Sequence, residues 1–205
     1  MSISKEICLV FPNQLFEFNP LINKSDYLIL IEEYLFFRQY KFHKHKIAFQ
    51  RASMKFYADF LKDKGKTIKY IQSNDEYSDI RNLIKYLHQK GVTKIHYIDP
   101  VDDWLSQRIK EAIKTYTLEN ELYDSPLFLN SSDDINKYFS EKKKFRQTDF
   151  YIKKKKKRGI MLDSKDSPIG GKWTYDTQNR AKYPSKKIPP AYKYPLKNKY
   201  HEEAE

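Results

Sequence analysis

The sequence predicts an α/β fold: a five-stranded, mostly parallel sheet flanked by helices, with a helical and irregular C-terminal connector. Three observations carry that expectation. Short apolar runs of strand length alternate with longer stretches whose apolar residues recur at helical spacing. The connectors between them are short, as in strand–helix–strand units. Hydrophobic residues make up 40% and aromatics 16% of 205 residues, which suffices for the core of one such domain plus a tail.

The elements follow in order. "ICLVF" (Ile7–Phe11) and "YLILI" (Tyr27–Ile31) are continuous apolar runs, the pattern of strands covered on both faces. "TIKYI" (Thr67–Ile71) and "KIHYI" (Lys94–Ile98) read as two further strands, and a fifth is expected around Glu121–Tyr123. From about His45 to Lys64, residues Ile47, Ala48, Met54, Ala58 and Leu61 share a helical face, and Gly65 is a suitable stop. From about Ser78 to Lys90 the stripe is Ile80, Leu83, Ile84 and Leu87, ended by Gly91. A third helix is expected near Asp102 to Tyr116. After Leu129 the order changes: "SSDDINKYF" opens with Ser/Asp capping chemistry, and "TDFYIKKKKKR" reads as a helix with Thr148 as its N-cap. Beyond Gly159 the prolines predict irregular chain. Residues 1–130 therefore form the α/β domain and 131–205 the helical segment and basic connector.

A doubly wound, Rossmann-like sheet binds ligands beyond the strand C-termini, at the point where the strand order reverses. That rim carries Pro12–Asn13–Gln14, Glu32–Glu33 and Asp99–Pro100. Asn13 and Gln14 can donate to and accept from a heteroaromatic edge. His43 and His45, two apart, do not share a helix face, so a helical metal pair is not expected; capping or solvation is the plainer role, and a ligand contact from His43 the sharper one. The chain has no P-loop, GxGxxG, HExxH, GxSxG or CxxC motif, and no acid–base constellation that specifies a reaction.

The net charge of +12 is localised. Glu141–Arg158 holds ten Lys/Arg against two acids, and Arg180–Tyr200 seven against none. Such runs suit a polyanion, with salt-dependent binding. Lys153, Lys154, Lys155, Lys156, Lys157 and Arg158 are the nucleic-acid-binding candidates, a solvated helix face being the bland reading of the same run. One cysteine, Cys8, excludes an intrachain disulfide and any all-cysteine cluster built from this chain alone. No apolar run approaches membrane-spanning length and no signal-peptide pattern opens the chain, so a cytoplasmic protein without membrane association is expected.

Four stretches carry a resemblance: "LVFPNQL" (Leu9–Leu15), "HKHKIAFQRASMKFYADFLKDKGKTIKYI" (His43–Ile71), "FRQTDFYIKKKKKRGIMLD" (Phe145–Asp163) and "SPIGGKWTYDTQNR" (Ser167–Arg180). Together they resemble the N-terminal region of the prokaryotic photolyase-related family, the iron–sulfur photolyases and cryptochromes, in register to about Pro184. The resemblance implies an α/β antenna domain and a connector that packs on a helical domain absent from this chain. In the family that domain holds FAD, a 4Fe-4S cluster and the DNA-lesion pocket, and the antenna chromophore is a 6,7-dimethyl-8-ribityllumazine. Positions matching the antenna lining are Asn13, Gln14, Ile31, Glu32, His43, Ile47, Asp99 and Pro100. The chain departs from the pattern at Pro12–Asn13–Gln14, where a Gly-Asp-Gln turn is usual. Phe36 replaces an acid, Gln50 stands near an apolar position, and Val101 replaces a glycine.

The resulting expectation is the antenna-domain portion of a photolyase-related protein, linked to light-dependent DNA repair or blue-light sensing. The family activity is that of a carbon–carbon lyase, but this chain alone is not expected to be catalytic. Its partner would be a separate helical flavin-binding domain or chain, with weak DNA contact of its own. The alternative is a free-standing nucleic-acid- or protein-binding module on the same scaffold.

Overall fold

The computed structural model describes residues 4–175, 179–194 and 196–205. The Asp-Thr-Gln part of the connector motif lies outside them. Five strands, β1 (Glu6–Val10), β2 (Tyr27–Ile31), β3 (Thr67–Ile71), β4 (Lys94–Ile98) and β5 (Glu119–Tyr123), form one sheet in the order β3-β2-β1-β4-β5. Every pairing is parallel, so the sheet is wholly rather than mostly parallel. The central strands are buried at every position after the first because both sheet faces are covered, and His96 of β4 is the one polar side chain among those positions.

Alternation along the strands sorts the core into two layers. Ile7, Leu9, Ile29, Ile31, Ile95 and Tyr97 face helices α3 (Ile80–Gln89) and α4 (Asp103–Tyr116). Cys8, Val10, Leu28, Leu30 and Ile98 face α2 (Lys44–Asp63), through Met54, Tyr57, Ala58 and Leu61. The expected stripe on α2 is thus the sheet-facing one, although Ile47 is only partly buried at its edge. A short helix, α1 (Tyr34–Phe37), follows β2; its Phe36 packs against both layers.

The chain divides into two compact units. Residues 1–129 and 195–205 make the first, and residues 130–194 the second. The first includes a helix that the prolines concealed, α7 (Lys199–Ala204), so the chain beyond Gly159 is not irregular throughout. Asn198 caps it, accepting from Tyr200 and His201 amides while the His201 ring accepts from the Asn198 amide. Tyr200 stacks edge-on against Phe56 of α2 at 5.6 Å and donates to Asp59 at 3.0 Å.

In the second unit, α5 (Ser132–Phe139) is capped by Ser131, and α6 (Gln147–Arg158) ends at Gly159 in the left-handed conformation. Thr148 is not the cap of α6. The helix begins one residue earlier at Gln147 with Arg146 in the cap position, so Thr148 lies within the first turn. Tyr138, Phe139, Phe145 and Phe150 stack with one another, and Asp134 gathers Lys154 at 2.6 Å, Lys157 at 3.7 Å and Arg158 at 3.9 Å. Lys154 therefore holds the Asp134 carboxyl below its usual range.

Candidate functional site

The strand order reverses at β1, which sends the chain to β2 and β3 on one side while β4 and β5 lie on the other. The switch-point crevice lies between the C-terminal ends of β1 and β4, where ligands sit in open parallel sheets. Here it is stitched by amides. The Gln14 side chain donates to the Ile98 and Asp99 carbonyls at 3.0 and 3.2 Å and accepts from the Phe11 amide. Asn13 donates to the Pro100 carbonyl at 2.9 Å. Asp99 uses its carboxylate on the Val101 amide at 2.9 Å, closing a turn in which Val101 has a φ of 57°.

The second half of the rim is closed by charge. Glu32 is 0% exposed, and its carboxylate accepts from Arg51 at 2.6 Å, the Tyr70 hydroxyl at 2.6 Å and the Ser73 amide at 2.8 Å. Burial and the Glu32 carboxylate together push the Tyr70 hydroxyl far above its ordinary value. Arg51 continues to Glu203 of α7 at 2.6 Å. Glu33, also buried, caps α1 through the Leu35 amide and reaches the Ile80 amide at 3.4 Å; burial raises its pKa to about 7 against the pull of both amides.

Of the sequence-predicted residues, the structure joins Asn13, Gln14, Asp99 and Pro100 into one hydrogen-bonded corner. Ile31 is fully buried in the layer facing α3 and α4. His43 is exposed and caps α2, its Nδ1 accepting from the His45 amide at 3.2 Å. Sequence reasoning missed Arg51, Tyr70 and Glu203, the partners that close the rim. The signal for Arg51 was its position one turn from Ile47 on the helix expected from about His45 to Lys64. Nothing local pointed to Glu203.

A cavity of 660 Å³ opens beside this rim. It shares only Pro12 and Asn13 with it and is otherwise mostly aromatic and apolar. Phe49, Ala52, Ser53, Phe56 and Tyr57 of α2 line it at helical spacing, with Leu15, Phe16 and Leu127 opposite and Asn198, Tyr200 and His201 at the α7 end. Gln50, one residue along, does not line it, and the Gln50 Oε1 is buried without a hydrogen-bond partner.

A family model described as deoxyribodipyrimidine photo-lyase-related protein matches residues 8–205. The chain belongs to that family. It is 36% identical over 193 residues to an uncharacterized protein of Acanthamoeba polyphaga mimivirus, covering 89% of this chain and 97% of that one. It is 22% identical over 160 residues to a (6-4) photolyase of Agrobacterium fabrum, covering 77% of this chain. The match spans 31% of that photolyase.

The antenna group implied by the photolyase-related resemblance needs polar atoms free to face it. Gln14 and Glu32 have theirs committed to protein partners, and Ile31 is sealed in the core. Phe36, where an acid is common, is packed between the two layers. The residues present do not fit a ribityllumazine at the sequence-predicted rim.

Proposed function

We propose that these residues are the antenna-type α/β portion of a photolyase-related protein, serving a light-responsive system as a scaffold rather than as its photochemical centre. The observation that carries the reading is the family match over residues 8–205 in a chain with a single cysteine. That cysteine, Cys8, is buried beside Leu21, and burial pushes its thiol up to about 12, which disfavours the thiolate that a cluster ligand or a nucleophile needs. The rim carboxylates are likewise committed: Glu32 to Arg51 and Glu33 to its helix cap. On this reading the flavin and iron–sulfur chemistry of the family belongs to a separate helical domain or chain, and this portion supplies a rigid sheet and the surfaces around it.

The test illuminates the purified chain with added FAD and ultraviolet-damaged duplex DNA. No lesion removal is expected at any flavin concentration. Light-dependent repair by this chain alone would overturn the reading.

A further inference from the structure

The charge of the molecule is segregated between its two units. Residues 130–194 hold eighteen Lys/Arg against seven Asp/Glu, leaving +11 of the chain's +12; the sheet unit is close to neutral. The same basic unit contains a cleft of 370 Å³ lined by Gln147, Thr148, Tyr151, Trp173, Thr174 and Tyr175. This falls within the range of about 300–1,000 Å³ in which small flat groups are bound.

The aromatic walls are set by the chain itself. The Tyr175 hydroxyl donates to the Gly170 carbonyl at 2.9 Å. Gly170 has a φ of 88°, and a Cβ there would stand 2.3 Å from that hydroxyl, so a side chain at this position would strain the backbone and displace the Tyr175 ring. Tyr151 and Tyr175 are nevertheless 48% and 51% exposed. Cations border the same rings. The Lys155 ammonium lies 5.4 Å from the Tyr151 ring and 5.8 Å from Trp173, and Lys156 lies 5.3 Å from Trp173. Lys172 adjoins Trp173 in the chain and is exposed.

We propose that the 130–194 unit binds single-stranded nucleic acid, one base stacking in the Tyr151–Trp173–Tyr175 cleft and the flanking phosphates meeting Lys156 and Lys172. Positive charge together with open aromatic faces is the combination that tracks an unpaired strand. In a duplex the base faces are covered by their neighbours, so a duplex offers the cleft only phosphates. This inference is independent of the antenna reading, because neither the rim nor the 660 Å³ cavity enters it.

The experiment uses the full chain carrying Trp104→Phe, which leaves Trp173 as its only tryptophan. A short mixed-sequence DNA oligonucleotide, the same sequence as a duplex, heparin and anionic phospholipid vesicles are titrated in turn. Quenching of Trp173 by the single strand is expected, with affinity above that of the duplex. In the variants without Trp173, binding is read from the fluorescence anisotropy of the end-labelled oligonucleotide: Trp173→Ala should weaken single-strand binding about five- to a hundredfold, while Trp173→Phe keeps most of it. Lys156→Gln and Lys172→Gln should each flatten the logarithmic salt dependence by about 0.7. Equal binding by Trp173→Ala, tighter binding of duplex, or heparin or vesicles preferred to the oligonucleotide would each overturn the proposal.

Discussion

Glu33 links the stability of the fold to pH between about 4.5 and 7. Its carboxyl titrates near pH 7 in the folded chain, against an ordinary value of 4.5, because burial disfavours the anion. Below about pH 4.5 both states are protonated and the folded form has its full advantage. Between 4.5 and 7 only the folded form keeps the proton, so stability falls as pH rises, and above 7 the loss is complete. The drop is on the order of 3 kcal/mol. Denaturant titrations across this window should slope downward, and Glu33→Gln should flatten the slope; an unchanged slope in the variant would refute the assignment. Val101 carries a different strain. A β-branched residue at a φ of 57° occupies a region that glycine enters freely, and Val101→Gly should raise stability by roughly 1 kcal/mol despite glycine's larger loss of chain entropy. Thermal unfolding of the variant measures it.

At the scale of elements, α2 decides what the rim can do. Its sheet-facing stripe was readable from the spacing of Met54, Ala58 and Leu61, and its second stripe, Phe49 to Tyr57, builds the cavity. Arg51 lies between them and bridges Glu32 at the end of β2 to Glu203 on α7. Removing it leaves a buried carboxylate with Tyr70 and Ser73 as its remaining partners, so Arg51→Met should destabilise by about 3 kcal/mol. Adding Glu32→Gln should recover part of that loss, since the uncompensated charge is then gone. A strictly additive pair of substitutions in denaturant unfolding would contradict the bridge. Helix α7 was illegible for a physical reason. It has only six residues behind a proline-rich stretch, and what holds it is tertiary: Tyr200 on Phe56 and Asp59, and Glu203 on Arg51. Its one local signal was Asn198 placed three residues before His201.

Over the whole molecule, the sheet was legible because parallel strands buried on both faces must be apolar throughout, and the runs from Ile7 and Tyr27 could be little else. The residues expected at the rim do follow the ends of β1, β2 and β4, but what their side chains meet was not legible. Whether Gln14 and Glu32 face a ligand or the protein depends on partners distant in sequence: Ile98, Asp99, Arg51 and Tyr70. The arrangement of the basic run was not legible either. Its Lys154 and Lys155 are buried against Asp134 and the aromatic rings, so the charge is organised around Trp173 and Tyr138 rather than spread along one open helix face. On the proposed reading, this chain is a photolyase-family scaffold whose rim is closed by its own side chains. Titration of 6,7-dimethyl-8-ribityllumazine into the purified chain, followed by the chromophore's absorbance and fluorescence, tests that most directly. No saturable uptake is expected at the rim; stoichiometric uptake that is lost in Glu32→Gln would contradict the closed-rim reading.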